Sequence, residues 1–150
     1  MTELFRCRTD SPAATGEAGY RLAALIDKDG LPGFVALEGD LGAGKTEFCR
    51  GVASYFSPGS SVRSPSFNIV NEYKKGSRPV YHFDFYRLRD ADDLYSAGFY
   101  DYPETGVVLV EWASKLQSEL PASRIAVTIT KPDEIRPELR DITAVLYSDE

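Results

Sequence analysis

The sequence predicts an α/β layered domain built on a mixed sheet, and three observations point there. Phe34 to Leu37 and Val107 to Val110 are continuous apolar runs, the pattern of strands covered on both faces. Segments with apolar residues at helical spacing lie beside them. Phe67 to Tyr73 and Val80 to Tyr86, joined by KKGSRP, read as a β-hairpin. Strands that alternate with helices, together with one hairpin, give helices layered on a sheet that is parallel only in part.

Taken in order, Leu4 to Arg8 reads as a short first strand. Ser11 then offers an N-cap oxygen and Pro12 suits the first helical position. Ala14, Ala18, Leu22, Leu25 and Ile26 carry the helical period until Gly30 and Pro32 stop it. After the strand at Phe34, a glycine-rich turn leads into a helix from Thr46 to Phe56. Ser57 to Ser61 is a polar loop before the hairpin. Asp90 caps a short helix through Ala97 that Gly98 ends. The strand at Val107 is followed by a helix to Leu120, closed by Pro121. Arg124 to Thr130 and Ile142 to Tyr147 read as the last strands.

The totals bound the function. At 150 residues and 43% hydrophobic, the chain reads as one domain, 1–150, of ordinary globular composition. No apolar run approaches the roughly 18 residues a membrane span needs, and the N-terminus lacks a signal-peptide core, so a cytoplasmic location is expected. Cys7 and Cys49 show neither a CxxC nor a metal-binding spacing. A net charge of −6 without a basic run argues against stand-alone nucleic-acid binding. Any RNA in this protein's biology would be held by a partner.

Gly39-Asp40-Leu41-Gly42-Ala43-Gly44-Lys45-Thr46 matches the P-loop pattern G-x-x-x-x-G-K-[ST] without a mismatch. The glycines let the backbone curl with its amides inward, and the following helix adds unpaired amides and the positive end of its dipole. Lys45 would reach the β- and γ-phosphates of a nucleoside triphosphate, and the Thr46 hydroxyl would ligate Mg²⁺. A chance glycine-rich turn is the bland alternative. A buried strand before the motif and a helix after it favour the P-loop, and with it a P-loop NTPase-like layered fold.

Such a site usually needs an acidic residue at the end of a neighbouring strand. Glu111 ends GVVLVEW, at the carboxyl end of an apolar strand; the alternative is an ordinary strand-end surface charge. Asp84, in VYHFDFYRL, lies between aromatics on an alternating strand, and the alternative is a solvent-facing hairpin residue. His82, the single histidine, reads as structural. Tyr73, Tyr81 and Tyr86 read as sheet aromatics, and Cys49 as a small buried filler.

GDLGAGKT, RSPSFNIVNEY, YHFDFYRL and VLVEW, in that order and spacing, resemble the bacterial TsaE (YjeE-type) ATPases from about Ser11 to Ile129. The resemblance implies a P-loop ATPase that supports threonylcarbamoylation of adenosine-37 in tRNAs reading ANN codons, beside a TsaB–TsaD pair. It implies that Leu41, Gly42, Ala43, Gly44, Lys45 and Thr46 hold the phosphates, and that Thr46 with Glu111 holds Mg²⁺. Asp84 matches a residue needed for hydrolysis, making Asp84, Lys45 and Glu111 the catalytic candidates. Ser11 and Thr15 would lie near the adenine. There are three departures from the family. Glu47 stands where a second hydroxyl is common, adding negative charge near the phosphates and implying modest affinity. Ser66 replaces the usual Thr of SPTF, and Ala113-Ser114 follow Trp112 where many members carry an acidic residue.

Thr130-Lys131-Pro132-Asp133 has the T-K-x-D shape of a guanine-specificity motif, but no D-x-x-G switch accompanies it and a plain turn explains it. A small-molecule kinase would need an arginine-rich lid; Arg87 and Arg89 lie close together, but no arginine-rich lid segment is visible. A non-catalytic nucleotide-dependent scaffold would use the same loop, and single-turnover hydrolysis distinguishes it. No residue stands out as a built-in arginine finger, with Arg63 and Arg87 the candidates.

Overall fold

The computed structural model describes residues 1–40, 42–65, 68–102 and 105–148. Leu41, Ser66 and Phe67, three positions of the sequence reading, lie outside the described residues. The elements run β1 (Thr2–Thr9), α1 (Pro12–Asp29), β2 (Phe34–Glu38), α2 (Lys45–Phe56), β3 (Val70–Tyr73), β4 (Val80–Asp84), α3 (Ala91–Ser96), β5 (Val107–Glu111), β6 (Arg124–Thr130) and β7 (Arg140–Tyr147). Short 3₁₀ segments occupy Phe99–Asp101 and Ala113–Glu119.

The strands form one seven-stranded sheet in the order β1-β7-β6-β2-β5-β4-β3. Its centre is parallel: β2 pairs with β5 and β6, and β4 with β5. Both margins are antiparallel, with β3 folded onto β4 and β7 bridging β6 to β1. This is the mixed, P-loop NTPase-like α/β fold that the runs and the hairpin predict.

Strand parity decides which residues meet which layer. From β2, Val35 and Leu37 join Leu22, Ile26, Phe48, Val52 and Phe56 of α1 and α2 on one face. Ala36 turns the other way, to Phe83, Phe85, Leu94 and Leu116. Each apolar run is therefore buried on both sides, and the sheet lies between two helical layers. Ser11 caps α1 by accepting from Ala14 N–H at 3.1 Å, and Gly30 ends it in the left-handed region at φ 62°.

Several boundaries differ from the sequence reading. The first hairpin strand, expected from Phe67, begins at Val70, with Ile69 before it in the left-handed region at φ 68°. The strand expected through Tyr86 stops at Asp84, because its carboxylate accepts from Tyr86 N–H at 2.8 Å and turns the chain. The helix expected up to Leu120 is 3₁₀ and is interrupted at Leu116 (φ −134°, ψ 53°). It begins from Trp112 in the left-handed region at φ 59°, and its first turn is tied back to β2 through Ser114 and Glu38. Finally, β1 and β7 are longer than expected, since each pairs with the other from Thr2 to Thr9.

Candidate functional site

β2, the loop and α2 make the candidate phosphate cradle. α2 starts from Gly44 at φ 104°, a conformation that disfavours any side chain. At Gly39 a Cβ would come 2.5 Å from the Ile129 carbonyl oxygen, so the loop's close approach to β6 also excludes one. Ala43 N–H donates to Asp40 carbonyl at 3.0 Å, closing the turn. The first amides of α2 then face a cavity of about 360 Å³ lined by Gly42 to Glu47, Ser64, Asp84, Glu111 and Trp112.

Lys45 lies in this cavity only 5% exposed. Its ammonium donates to Gly39 carbonyl and sits 3.7 Å from the centre of the Trp112 ring. Burial holds the Lys45 pKa below the ordinary lysine value, against the opposing pull of Glu111, Glu38, Asp84 and Asp40. Such a side chain is a cation poised for an anion. Trp112, a bulky residue held at positive φ, stores backbone strain of about 1–3 kcal/mol. That strained turn is what brings its ring over Lys45.

The two acidic candidates arrive together by register. Asp84 and Glu111 are paired neighbours at the carboxyl ends of the parallel strands β4 and β5. Both are buried and both line the cavity, so neither the solvent-facing reading of Asp84 nor the surface-charge reading of Glu111 describes them. Thr46 Oγ1 lies 3.4 Å and 3.3 Å from the two Glu111 carboxylate oxygens. A hydroxyl and a carboxylate beside a phosphate cradle are hard oxygen donors, and they suit Mg²⁺, which takes a few protein oxygens plus phosphate and water.

Behind Glu111 stands His82, which the sequence reading treated as structural. Its Nε2 lies 2.6 Å from Glu111 Oε2, with both side chains buried. His82 Nδ1 is 3.3 Å from the Tyr73 hydroxyl, which in turn donates to Arg63 carbonyl and accepts from Arg63 N–H. Glu111 is thus oriented by a buried chain that ends in the backbone before Ser64. The signal was available only as parity: His82 and Asp84 share one face of β4.

On the other side of the loop, Ser11, Thr15, Gly42, Gly44, Glu47, Glu138 and Arg140 line a second cavity of about 280 Å³. Ser11 and Thr15 are brought to the loop, though their hydroxyls serve the fold. Ser11 Oγ caps α1, and Thr15 Oγ1 shares a hydrogen bond with Thr9 Oγ1 at 2.8 Å. Glu47 borders both cavities and forms an ion pair with Arg50, which offsets its charge. Arg140 escaped the sequence reading. It donates to Ala43 carbonyl at 2.9 Å and to Gly42 carbonyl at 3.2 Å, bracing the loop from β7. In the T-K-x-D segment, Asp133 accepts from Ile135 N–H at 2.8 Å, the bond of a plain turn. Arg63 lines a neighbouring polar cavity with Asn68 and Lys74 and is absent from the lining of the P-loop cavity. Among the described residues no helix is long and apolar enough to cross a membrane.

Comparison with known proteins matches residues 9–139 to the family model described as "Threonylcarbamoyl adenosine biosynthesis protein TsaE". The chain is 38% identical over 132 residues to a Bacillus subtilis protein named tRNA threonylcarbamoyladenosine biosynthesis protein TsaE, covering 88% of this chain and 81% of the relative. A protein of the same name from Rickettsia conorii is 36% identical over 119 residues, covering 78% of this chain and 68% of that one. The crystal structure of YdiB from Bacillus subtilis superposes with a TM-score of 0.74 at 34% identity, covering 97% of this chain and 86% of the other.

Proposed function

The chain belongs to the TsaE family, and from that premise we propose that its 150 residues act as one Mg²⁺-dependent ATPase domain supporting tRNA threonylcarbamoyladenosine formation. In this reading it works in the cytoplasm with a TsaB–TsaD-like complex, on adenosine-37 of tRNAs reading ANN codons. The observation that carries the proposal is the convergence of Lys45, Thr46, Asp84 and Glu111 on one cavity beside the P-loop amides.

The chemistry would be in-line attack of water on the γ-phosphate, forming a new P–O bond as the bond to the β-phosphate oxygen breaks. The loop amides and Lys45 would stabilise the charge spread over the equatorial oxygens. To do so Lys45 leaves the Gly39 carbonyl for the phosphates. Thr46 and Glu111 would hold Mg²⁺, which would supply further neutralisation of the phosphate charge. Asp84 would orient the attacking water and receive its proton, or couple the γ-phosphate to the Ser64 segment. His82 keeps the Glu111 carboxylate directed at Thr46. The adenosine would occupy the cavity lined by Ser11, Thr15 and Arg140.

With a net charge of −6, the chain leaves tRNA contact to its partners. No arginine reaches the described lining of the phosphate cavity, and an arginine finger is worth about 10³- to 10⁵-fold in rate. Hydrolysis by the isolated chain is therefore expected to be slow and strongly stimulated by the partner complex. The test is reconstituted tRNA modification with the partner proteins and ATP, with this chain, without it, and with Lys45→Ala. Modification that persists with Lys45→Ala, while the variant melts like wild type, would refute the proposal.

A further inference from the structure

Below the phosphate cavity, three side chains of unlike chemistry meet. Cys49 of α2, His82 of β4 and Glu111 of β5 bring a thiol sulfur, an imidazole nitrogen and a carboxylate oxygen within 4.8 Å of one another, all buried. Among the described residues this is the one cluster of its kind. We propose that Cys49, His82 and Glu111 form a site for a thiophilic divalent cation of the Zn²⁺ class, filled when the nucleotide is absent and incompatible with use of Glu111 for Mg²⁺.

The donor set selects the metal. Sulfur and imidazole nitrogen are ligands for Zn²⁺ and Co²⁺, whereas Mg²⁺ takes oxygen. With metal–ligand distances of about 2.0–2.3 Å, tetrahedral ligands stand roughly 3.3–3.7 Å apart. To hold a cation, His82 Nε2 and Glu111 Oε2, now 2.6 Å apart, must part by about 0.7 Å, while Cys49 Sγ and its partners close by up to about 1 Å. His82 is already held from behind, its Nδ1 lying 3.3 Å from the Tyr73 hydroxyl, which is the outer support that metal-bound histidines usually have. Of the three side chains Glu111 alone also lines the phosphate cavity, where its Oε2 lies 3.3 Å from the Thr46 hydroxyl.

Burial pushes the Cys49 thiol well above its ordinary value, so without metal it keeps its proton. A second proton lies in the 2.6 Å His82–Glu111 contact. A bound cation replaces both, and both leave to solvent. A Glu111 carboxylate engaged by Zn²⁺ is withdrawn from Mg²⁺ beside Thr46, so Zn²⁺ would inhibit hydrolysis and Mg²⁺ with nucleotide would oppose it. This inhibitory consequence rests on the proposed ATPase; the binding itself does not.

The test titrates nucleotide-free protein with Co²⁺. We expect one equivalent to bind with a thiolate-to-cobalt charge-transfer absorption, which stoichiometric Zn²⁺ bleaches. Cys49→Ser and Cys49→Ala should lose that absorption and bind at least about 10-fold more weakly, while Cys7→Ser keeps both. Circular dichroism verifies that each variant is folded. Co²⁺ bound without thiolate absorption, or an absorption that survives in Cys49→Ser, overturns the site. In the hydrolysis assay, the Zn²⁺ concentration for half-inhibition should rise at least about 10-fold in Cys49→Ser, with the Mg²⁺-supported rate unchanged. Equal Zn²⁺ sensitivity in wild type and Cys49→Ser overturns the mutual exclusion. Because the cobalt spectrum requires no nucleotide, it stands or falls independently of the ATPase reading.

Discussion

Two glycines that face each other across α1 and α2 should respond to alanine in opposite directions. Helix propensity alone favours alanine over glycine by about 1 kcal/mol at either site. At Gly51 the added Cβ would lie 1.8 Å from the Gly16 carbonyl oxygen, 2.7 Å from its carbon and 3.0 Å from its Cα. All three are backbone atoms, so no side chain can swing away. Ordinary contact begins near 3.4 Å, and the helices would have to part by about 1.6 Å. Parting them loosens Phe48 and Val52, both fully buried. Overpacking of this kind costs about 1–3 kcal/mol, and rigid backbone on both sides puts Gly51→Ala at the upper end. Less the propensity gain, the net loss is about 2 kcal/mol, or roughly 4–8 °C in melting temperature for a chain of this size. At Gly16 the nearest atom to a new Cβ is the Glu47 carbonyl oxygen at 3.6 Å, an ordinary contact. Gly16→Ala should therefore gain up to about 1 kcal/mol. Thermal unfolding of both variants measures the difference. A Gly51→Ala protein as stable as wild type, or a Gly16→Ala protein equally damaged, would refute the steric account. Because α1 and α2 begin on either side of the P-loop, Gly51→Ala should also weaken nucleotide binding.

Further predictions follow from the cavity. Lys45→Met should abolish nucleotide binding without lowering stability at neutral pH. Burial lowers the Lys45 pKa, so the unfolded chain binds that proton more tightly, and wild-type stability gains as pH rises toward the ordinary value of 10.5. Urea unfolding at several pH values should show Lys45→Met losing its relative advantage across that window; an advantage that grows would contradict the sign. Trp112 is the single tryptophan and lies under the Lys45 ammonium, so ATP should produce a saturable change in intrinsic fluorescence that Lys45→Met lacks. A flat signal from a protein shown to bind ATP by calorimetry would exclude the Lys45 movement. His82→Ala strands a buried carboxylate and should cost about 3–5 kcal/mol. Adding Glu111→Gln should recover part of that loss, and strict additivity in the double-mutant cycle would show the pair to be uncoupled.

What the sequence disclosed follows the range of each interaction. The P-loop was legible because its glycines, Lys45 and Thr46 act within eight consecutive residues between a strand and a helix, each with its own local signature. The layers were legible because a strand buried on both faces must be apolar throughout, as FVAL and VVLV are. The segment after Trp112 was misjudged because its ASKLQSE composition tolerates a helix. A left-handed Trp112 and the capping carboxylate of Glu38, distant in sequence, tighten it to 3₁₀. Arg140 was silent for the same reason: its carbonyl partners lie nearly a hundred residues earlier.

The acidic centre shows where that boundary falls. VYHFD and VVLVE each place a carboxylate four residues after their first valine. That coincidence acquires meaning only once β4 and β5 pair in parallel with Val80 opposite Val107, because the same offset then sets Asp84 beside Glu111. Period-two alternation then directs His82 and Glu111 to the face covered by α2, and there they meet Cys49. Sequence spacing specified each carboxylate's distance along its own strand; pairing between the strands specified the contact. A one-residue slip of β4 against β5 would keep every motif intact and send His82 and Asp84 to the opposite face. The motifs therefore name the chemistry, and the parallel register, held by the apolar residues between them, decides whether that chemistry is assembled.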